Sequence, residues 1–345
     1  MNKAYFKYLF KTTKKANSIL LIVNFLLYPL MVALSKVNNG NNDGISFTKS
    51  DSAKLGFATT ALVLMAYIIP IVYHKTFQKK EAIDSFWSLP IKKSKILVTK
   101  IIFGALQMIT IWSITFIFGV ILSYIKGMGF NLTYFALYYL LMIATSICIY
   151  LFSWFVCTTA TTTLDSVILN GIWIVIMFLF QILVNKVLKI SVLSDSGFSN
   201  QFMLTILSTA YCKDGLVPFE HIERMPSIFW ISLAVSIVTS CIAFILSVKN
   251  TKDSKAEDVE GPSKNIFGYR LAIPFVTLLY FTLLNYYDAI SDFPSMIIVL
   301  ILGFLAFFTL TFIGKRKIKF SVKLIFLFIG IVVVGNVLGY LINII

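Results

Sequence analysis

Nine apolar runs, each about 20 residues long, limit what this chain can fold into. They cover roughly 18–35, 55–74, 101–124, 134–156, 166–185, 228–247, 271–288, 294–314 and 324–344. A helix of that length crosses a hydrocarbon layer of about 30 Å with its backbone groups bonded internally. The expected fold is therefore an all-α polytopic membrane protein with about nine transmembrane helices. Only 13% of the 345 residues are charged, about half the share found in a soluble domain. The 32 phenylalanines suit a lipid-facing surface and interfacial belts.

Charge sets the orientation. With the N-terminus in the cytoplasm, the segments before residue 18 and at 75–100, 157–165, 248–270 and 315–323 are cytoplasmic. They hold 22 of the 30 Lys and Arg and seven of the 15 acids. The whole net charge of +15 then falls on one side, the positive-inside pattern. Topology and anionic membrane lipids account for this basic charge, so no nucleic-acid partner is expected. The opening MNKAYFKYLFKTTKKANS has no small-residue cleavage site ahead of the first span. The Lys-rich, Phe/Ile-rich composition looks bacterial. The expected location is the bacterial cytoplasmic membrane, with a cytoplasmic N-terminus.

Several chemistries lack their residues. The four cysteines and two histidines show no metal-ligand spacing. There is no GxxxxGK[ST] phosphate loop and no HExxH. The histidines, His74 and His221, fall on opposite sides of the membrane, so no Ser/His/Asp group can be argued. Acids are nearly absent from the span interiors. Asp165 opens the fifth span, where a carboxylate complements a helix N-terminus. The chain is thus not expected to be an enzyme, to hold a metal or to bind a cofactor. A membrane-embedded enzyme or sensor, and an ion-coupled secondary transporter, are the alternatives; both call for intramembrane catalytic or titratable residues.

Two cytoplasmic stretches are amphipathic. In residues 1–17, Phe6, Leu9 and Phe10 follow helical spacing while Lys3, Lys7, Lys11 and Lys14 occupy another face, as in a helix lying among headgroups. In 75–100, Ile83, Phe86 and Trp87 share one helical face, with Leu89 close by and Glu81 and Asp84 among lysines. Pro90 ends that helix, and Ser94 is placed to cap the next. Periodicity leaves two readings level: an aromatic anchor in the lipid interface, or a knob for a groove in a soluble partner.

Within the fifth span, Ser166, Asn170, Gln181 and Asn185 fall within about 100° of arc. Such a stripe faces protein or water rather than lipid. It can line a translocation path, or it can hydrogen-bond between helices. The isolated Asn24, Gln107, Asn285 and Asn336 fit the second role. Pro29, Pro70 and Pro274 are candidate kinks, and Gly335-x-x-x-Gly339 lets helices approach closely.

The order of these parts resembles the ABC-2 type permease of bacterial ABC exporters, in its Ytr-type or peptide-exporting group. Those proteins open with an amphipathic helix, carry a coupling helix between spans two and three, and separate spans five and six by an extracytoplasmic segment. The run SFWSLPIKKSKILVTK is similar to a stretch found after the second span in many such permeases. The likeness covers residues 1–250; residues 271–345 exceed the six-span minimum.

The resemblance implies an interfacial helix at 1–17 and a six-span domain at 18–250. Within that domain it implies a coupling helix at about 76–90 and an extracytoplasmic segment at 186–227. A cytoplasmic linker at 251–270 and an additional three-span segment at 271–345 follow. It further implies export of an amphipathic or lipophilic substrate, such as a peptide, antibiotic or lipid-like compound. Separate ATPase subunits that hold the ATP and Mg would drive it, beside a second permease copy or a homologue. Glu81, Ile83, Asp84, Phe86, Trp87 and Leu89 would then form the ATPase dock, and Ser166, Asn170, Gln181 and Asn185 the path.

Overall fold

A computed structural model of the chain describes residues 3–34, 49–79, 91–126, 132–187, 227–253, 261, 265–286, 293–316 and 322–344. Every regular element among them is helical. In chain order these are α1 (Lys3–Thr12), α2 (Lys14–Leu27), α3 (Pro29–Leu34), α4 (Lys49–His74), α5 (Lys93–Ile125), α6 (Leu132–Thr159), α7 (Thr163–Val187), α8 (Ser227–Asp253), α9 (Leu271–Tyr286), α10 (Phe293–Lys315) and α11 (Val322–Ile344). A 3₁₀ turn, Lys75–Phe77, follows α4, and a π turn, Ile266–Arg270, precedes α9. Among the described residues, nine helical stretches are long and apolar enough to cross a membrane, with α2 and α3 forming one of them. They fall on the nine runs read from the sequence.

Local chemistry explains most boundaries. Pro29 has no N–H, so α2 stops at Leu27 and α3 starts at Pro29. Pro70 sits inside α4, and Pro274 falls in the first turn of α9, where it removes little. Helix α5 has 33 residues; at 1.5 Å per residue it is about 50 Å long, beyond the hydrocarbon thickness. Its start differs from expectation. Lys92 has extended backbone (φ −59, ψ 133) and is the boundary residue, with no side-chain cap, so Ser94 lies within the first turn.

Packing gathers the helices into two compact units. The first holds α1 to α5, α6 as far as Phe155, and α8. Helix α5 is its centre, touching α1, α2, α3, α4 and α8. Trp112 on α5 stacks on Phe116 (4.7 Å) and Tyr139 (5.3 Å), and its indole N–H donates to Ala58 O at 3.1 Å. Tyr150 donates to Ile101 O at 2.8 Å. A side chain at Gly104 would collide with that hydroxyl. Polar residues bond between spans: Tyr73 donates to Gln107 Oε1 (2.6 Å), Gln107 donates to Asn17 Oδ1, and Asn24 donates to Met65 Sδ (3.1 Å).

The second unit holds the 3₁₀ turn and Gln78, the end of α6 from Val156, and α7, α9, α10 and α11. Helix α9 is its centre, against α7, α10 and α11. The fifth span therefore packs against the seventh, in one unit with the last three. Gly335 and Gly339 let α11 settle on the α9 backbone. A Cβ on Gly339 would stand 2.6 Å from Thr282 O. Asn285 adds a bond to Asn336 O at 2.6 Å. Phe281, Phe304, Phe307 and Phe328 fill the space beside this contact.

Candidate functional site

The segment singled out in the sequence leaves α4 through the 3₁₀ turn. Phe77 and Gln78, at the head of this polar segment, are both buried. The last carbonyls of a helix have no partner within it, and α6 ends at Thr159. Gln78 Nε2 supplies one. It donates to Ser166 Oγ at 2.6 Å and reaches Ala160 O at 3.4 Å and Cys157 O at 3.5 Å. One side chain thus ties the end of α6 to the first turn of α7. Asn170 Nδ2 extends the group, donating to Ser166 O at 2.8 Å and reaching Cys157 Sγ at 3.5 Å. Gln78 Oε1 and Asn170 Oδ1 are buried and accept from no donor among the described residues.

Beside this group stands a carboxylate hub. Thr162 is the residue before α7 and Asp165 the third within it, the spacing of a capping box. Asp165 N–H donates to Thr162 Oγ1 at 3.1 Å, and the Thr162 hydroxyl donates to Asp165 Oδ2 at 2.7 Å. Thr161 donates to Gly261 O at 2.6 Å and reaches the same carboxylate oxygen at 3.1 Å. Tyr269, from the π turn, donates to Oδ1 at 2.9 Å. Arg316, just past α10, places Nη2 2.8 Å from Oδ2. Gly314 makes room for Tyr269, since a Cβ there would stand 2.7 Å from the ring. Arg316 is the one non-glycine among the described residues with positive φ, 51°. That left-handed conformation costs about 1 kcal/mol or more, and it turns the guanidinium onto the buried acid.

These contacts bring together residues 78, 157–166, 261, 269 and 316, which lie in or beside four segments that charge sorting put on one side of the membrane. Spans alternate in direction, so this meeting at one end of the unit agrees with the number of crossings between them.

The structure therefore places Ser166 and Asn170 side by side, buried and hydrogen-bonded. Gln181 and Asn185 lie on α7, but their side chains are outside the described residues. The expected dock, Glu81, Ile83, Asp84, Phe86, Trp87 and Leu89, lies outside the described residues, as does 188–226 of the extracytoplasmic segment. No group of three His, Cys, Asp or Glu suited to a metal ion occurs among the described residues. No protein-family model, curated protein or solved structure matches the sequence.

Sequence reasoning placed Asp165 at a helix N-terminus but missed Gln78, Tyr269 and Arg316. One signal was available: only three of the 30 basic residues are arginine. A lone Arg in a lysine-rich run is the residue that can fork onto a buried carboxylate. For Gln78 and Tyr269 no spacing rule reaches across about 90 or 100 residues of chain.

Proposed function

We propose that this chain is the membrane-spanning permease subunit of an ABC exporter. It would move an amphipathic or lipophilic substrate, such as a peptide, antibiotic or lipid-like compound, across the bacterial cytoplasmic membrane. The observation that carries the reading is the attachment of Gln78. Gln78 lies within the segment proposed to receive the ATPase, three residues before Glu81, and its side chain is bonded into the junction of spans four and five. Force applied to that segment would reach the ends of α6 and α7 through bonds of 2.6–3.5 Å, without first deforming an apolar core.

In this reading separate ATPase subunits bind ATP and Mg, and their ATP-driven closure moves the segment. Ile83, Phe86, Trp87 and Leu89 fill a groove on the ATPase, and Glu81 and Asp84 meet basic residues at its rim. A second copy of the chain, or a homologue, completes the passage. Ser166 and Asn170 would be its polar residues nearest the driven end. The deciding experiment is purification in mild detergent, with the expectation that an ATPase accompanies the chain. A fully active carrier recovered without one overturns the proposal.

A further inference from the structure

The N-terminal helix has a face that neither the packing nor the transport reading uses. Helix α1 attaches to α5 by one side: Tyr5 and Leu9 are buried, and the Phe6 ring meets Phe103 edge-on at 4.9 Å. Burial, with Tyr8 alongside, pushes the Tyr5 hydroxyl above the ordinary phenol range. Tyr5 thus stays neutral and belongs to the packed side.

The level of α1 follows from its contacts. Phe6 meets Phe103, whereas Asn17, eleven residues on, meets Gln107, four residues along α5. A straight eleven-residue helix rises about 16 Å and four residues of α5 about 6 Å, so α1 crosses α5 instead of running beside it, about ten residues in from Lys93 and level with the start of the apolar run at 101–124. The elbow is at Thr13 (φ −94, ψ 1). Beyond it, Phe25 meets Phe118 at 5.3 Å, and α2 keeps step with α5. Because α2 passes into the apolar run within a turn, α1 is held at the surface of the bilayer.

Lys7 and Lys11, one turn apart, stand opposite Leu9 and are exposed, and Lys14 and Lys15 continue the exposed basic surface past the elbow. Tyr8 and Phe10, 53% and 62% exposed, flank the lysines. At the start of α5, Lys92 and Lys95 are exposed as well. Residues 3–34 and 91–126 contain no Asp or Glu. The lysines of α1 and its elbow thus form a basic rim with aromatic side chains beside it at headgroup height, and Lys92 and Lys95 lie about 12–16 Å further out along α5.

We propose that this rim is a binding surface for the headgroups of anionic phospholipids. Each lysine near an anionic surface strengthens binding about fivefold, and aromatic rings beside them belong in the same layer. An acidic soluble protein would match the charge but not the exposed Tyr8 and Phe10. The surface does not depend on an ATPase partner.

The test is lipid retention by the purified full-length chain. Protein in mild detergent is given equal amounts of phosphatidylglycerol and phosphatidylcholine, and the bound lipids are counted by native mass spectrometry. The wild-type chain should prefer phosphatidylglycerol, and high salt should weaken the preference. Lys7→Gln with Lys11→Gln should lower it about tenfold or more, while Lys7→Arg with Lys11→Arg keeps it. An unchanged melting midpoint in phosphatidylcholine shows that the Gln variant is folded. If that variant fails to fold, Lys14→Gln with Lys15→Gln, beyond the buried face of α1, is read in its place. Equal retention of both lipids by the wild-type chain, or undiminished preference in a folded Gln variant, overturns the proposal. So does capture of an acidic polypeptide without lipid preference.

Discussion

Arg316 closes an ion pair on Asp165 at 2.8 Å across 151 residues of chain. The acid is almost fully buried and the guanidinium about one-third exposed, at 5% and 35% side-chain exposure. Tyr269 donates to Oδ1, and Thr162, with Thr161 nearby, to Oδ2. A buried charge is tolerated when it is paired and fully hydrogen-bonded, and this one is.

Replacing Asp165 by Ala strips acceptors from Arg316, Tyr269 and Thr162. The expected loss is about 2–3 kcal/mol, held below the fully buried figure by the exposure of Arg316. Unfolding in detergent measures it. A double-mutant cycle of Asp165→Asn with Arg316→Met should show coupling of about 1 kcal/mol or more. Strict additivity would mean that the pair contributes nothing.

The contact of α9 with α11 can be tested by glycine. A methyl at Gly339 would press on Thr282 O and stand 2.9 Å from Asn285 Cβ. Gly339→Ala should therefore cost about 1–3 kcal/mol. Gly330→Ala, on the same helix with nothing within 4 Å, should be neutral or slightly stabilising. Equal melting temperatures for the two variants would contradict the close approach.

Gln78→Leu keeps most of the volume and removes the amide. It leaves Cys157 O, Ala160 O and Ser166 Oγ without that donor, at about 1–3 kcal/mol in all. Amide exchange at the start of α7 should rise, while that in the middle of α5 stays unchanged. If exchange around residues 163–167 does not move, Gln78 does not fasten this junction.

Phe86→Ala with Trp87→Ala tests the dock. In the proposed exporter the double variant should reach the membrane at normal levels and lose substrate-stimulated ATP hydrolysis and transport. Transport at the wild-type rate would remove the dock from this segment.

How much was legible beforehand differs by level. The spans could be read because each is a local run of apolar residues, and helix length follows from bilayer thickness. Asp165 could be placed because capping chemistry acts within three or four residues. Ser94 was misplaced by the same local logic, since the chain stays extended through Lys92 and the helix begins at Lys93. The distant partners of Asp165 could not be read: Tyr269 and Arg316 approach it from other elements, and their sequence neighbourhoods carry no trace of it. Gly335 and Gly339 announced a close approach, but the facing residues, Leu278 to Asn285, followed only from packing.

The sequence by itself determined that this chain is helical and carries nine stretches long and apolar enough to cross a membrane, because bilayer thickness acts on local composition. Only the tertiary structure decided that span five packs against span seven, that Gln78 ties α6 to α7, and that Arg316 neutralises Asp165. Inside a bilayer all apolar faces resemble one another, so the choice of neighbour rests on close-packed glycines and a few polar side chains that must find partners in space.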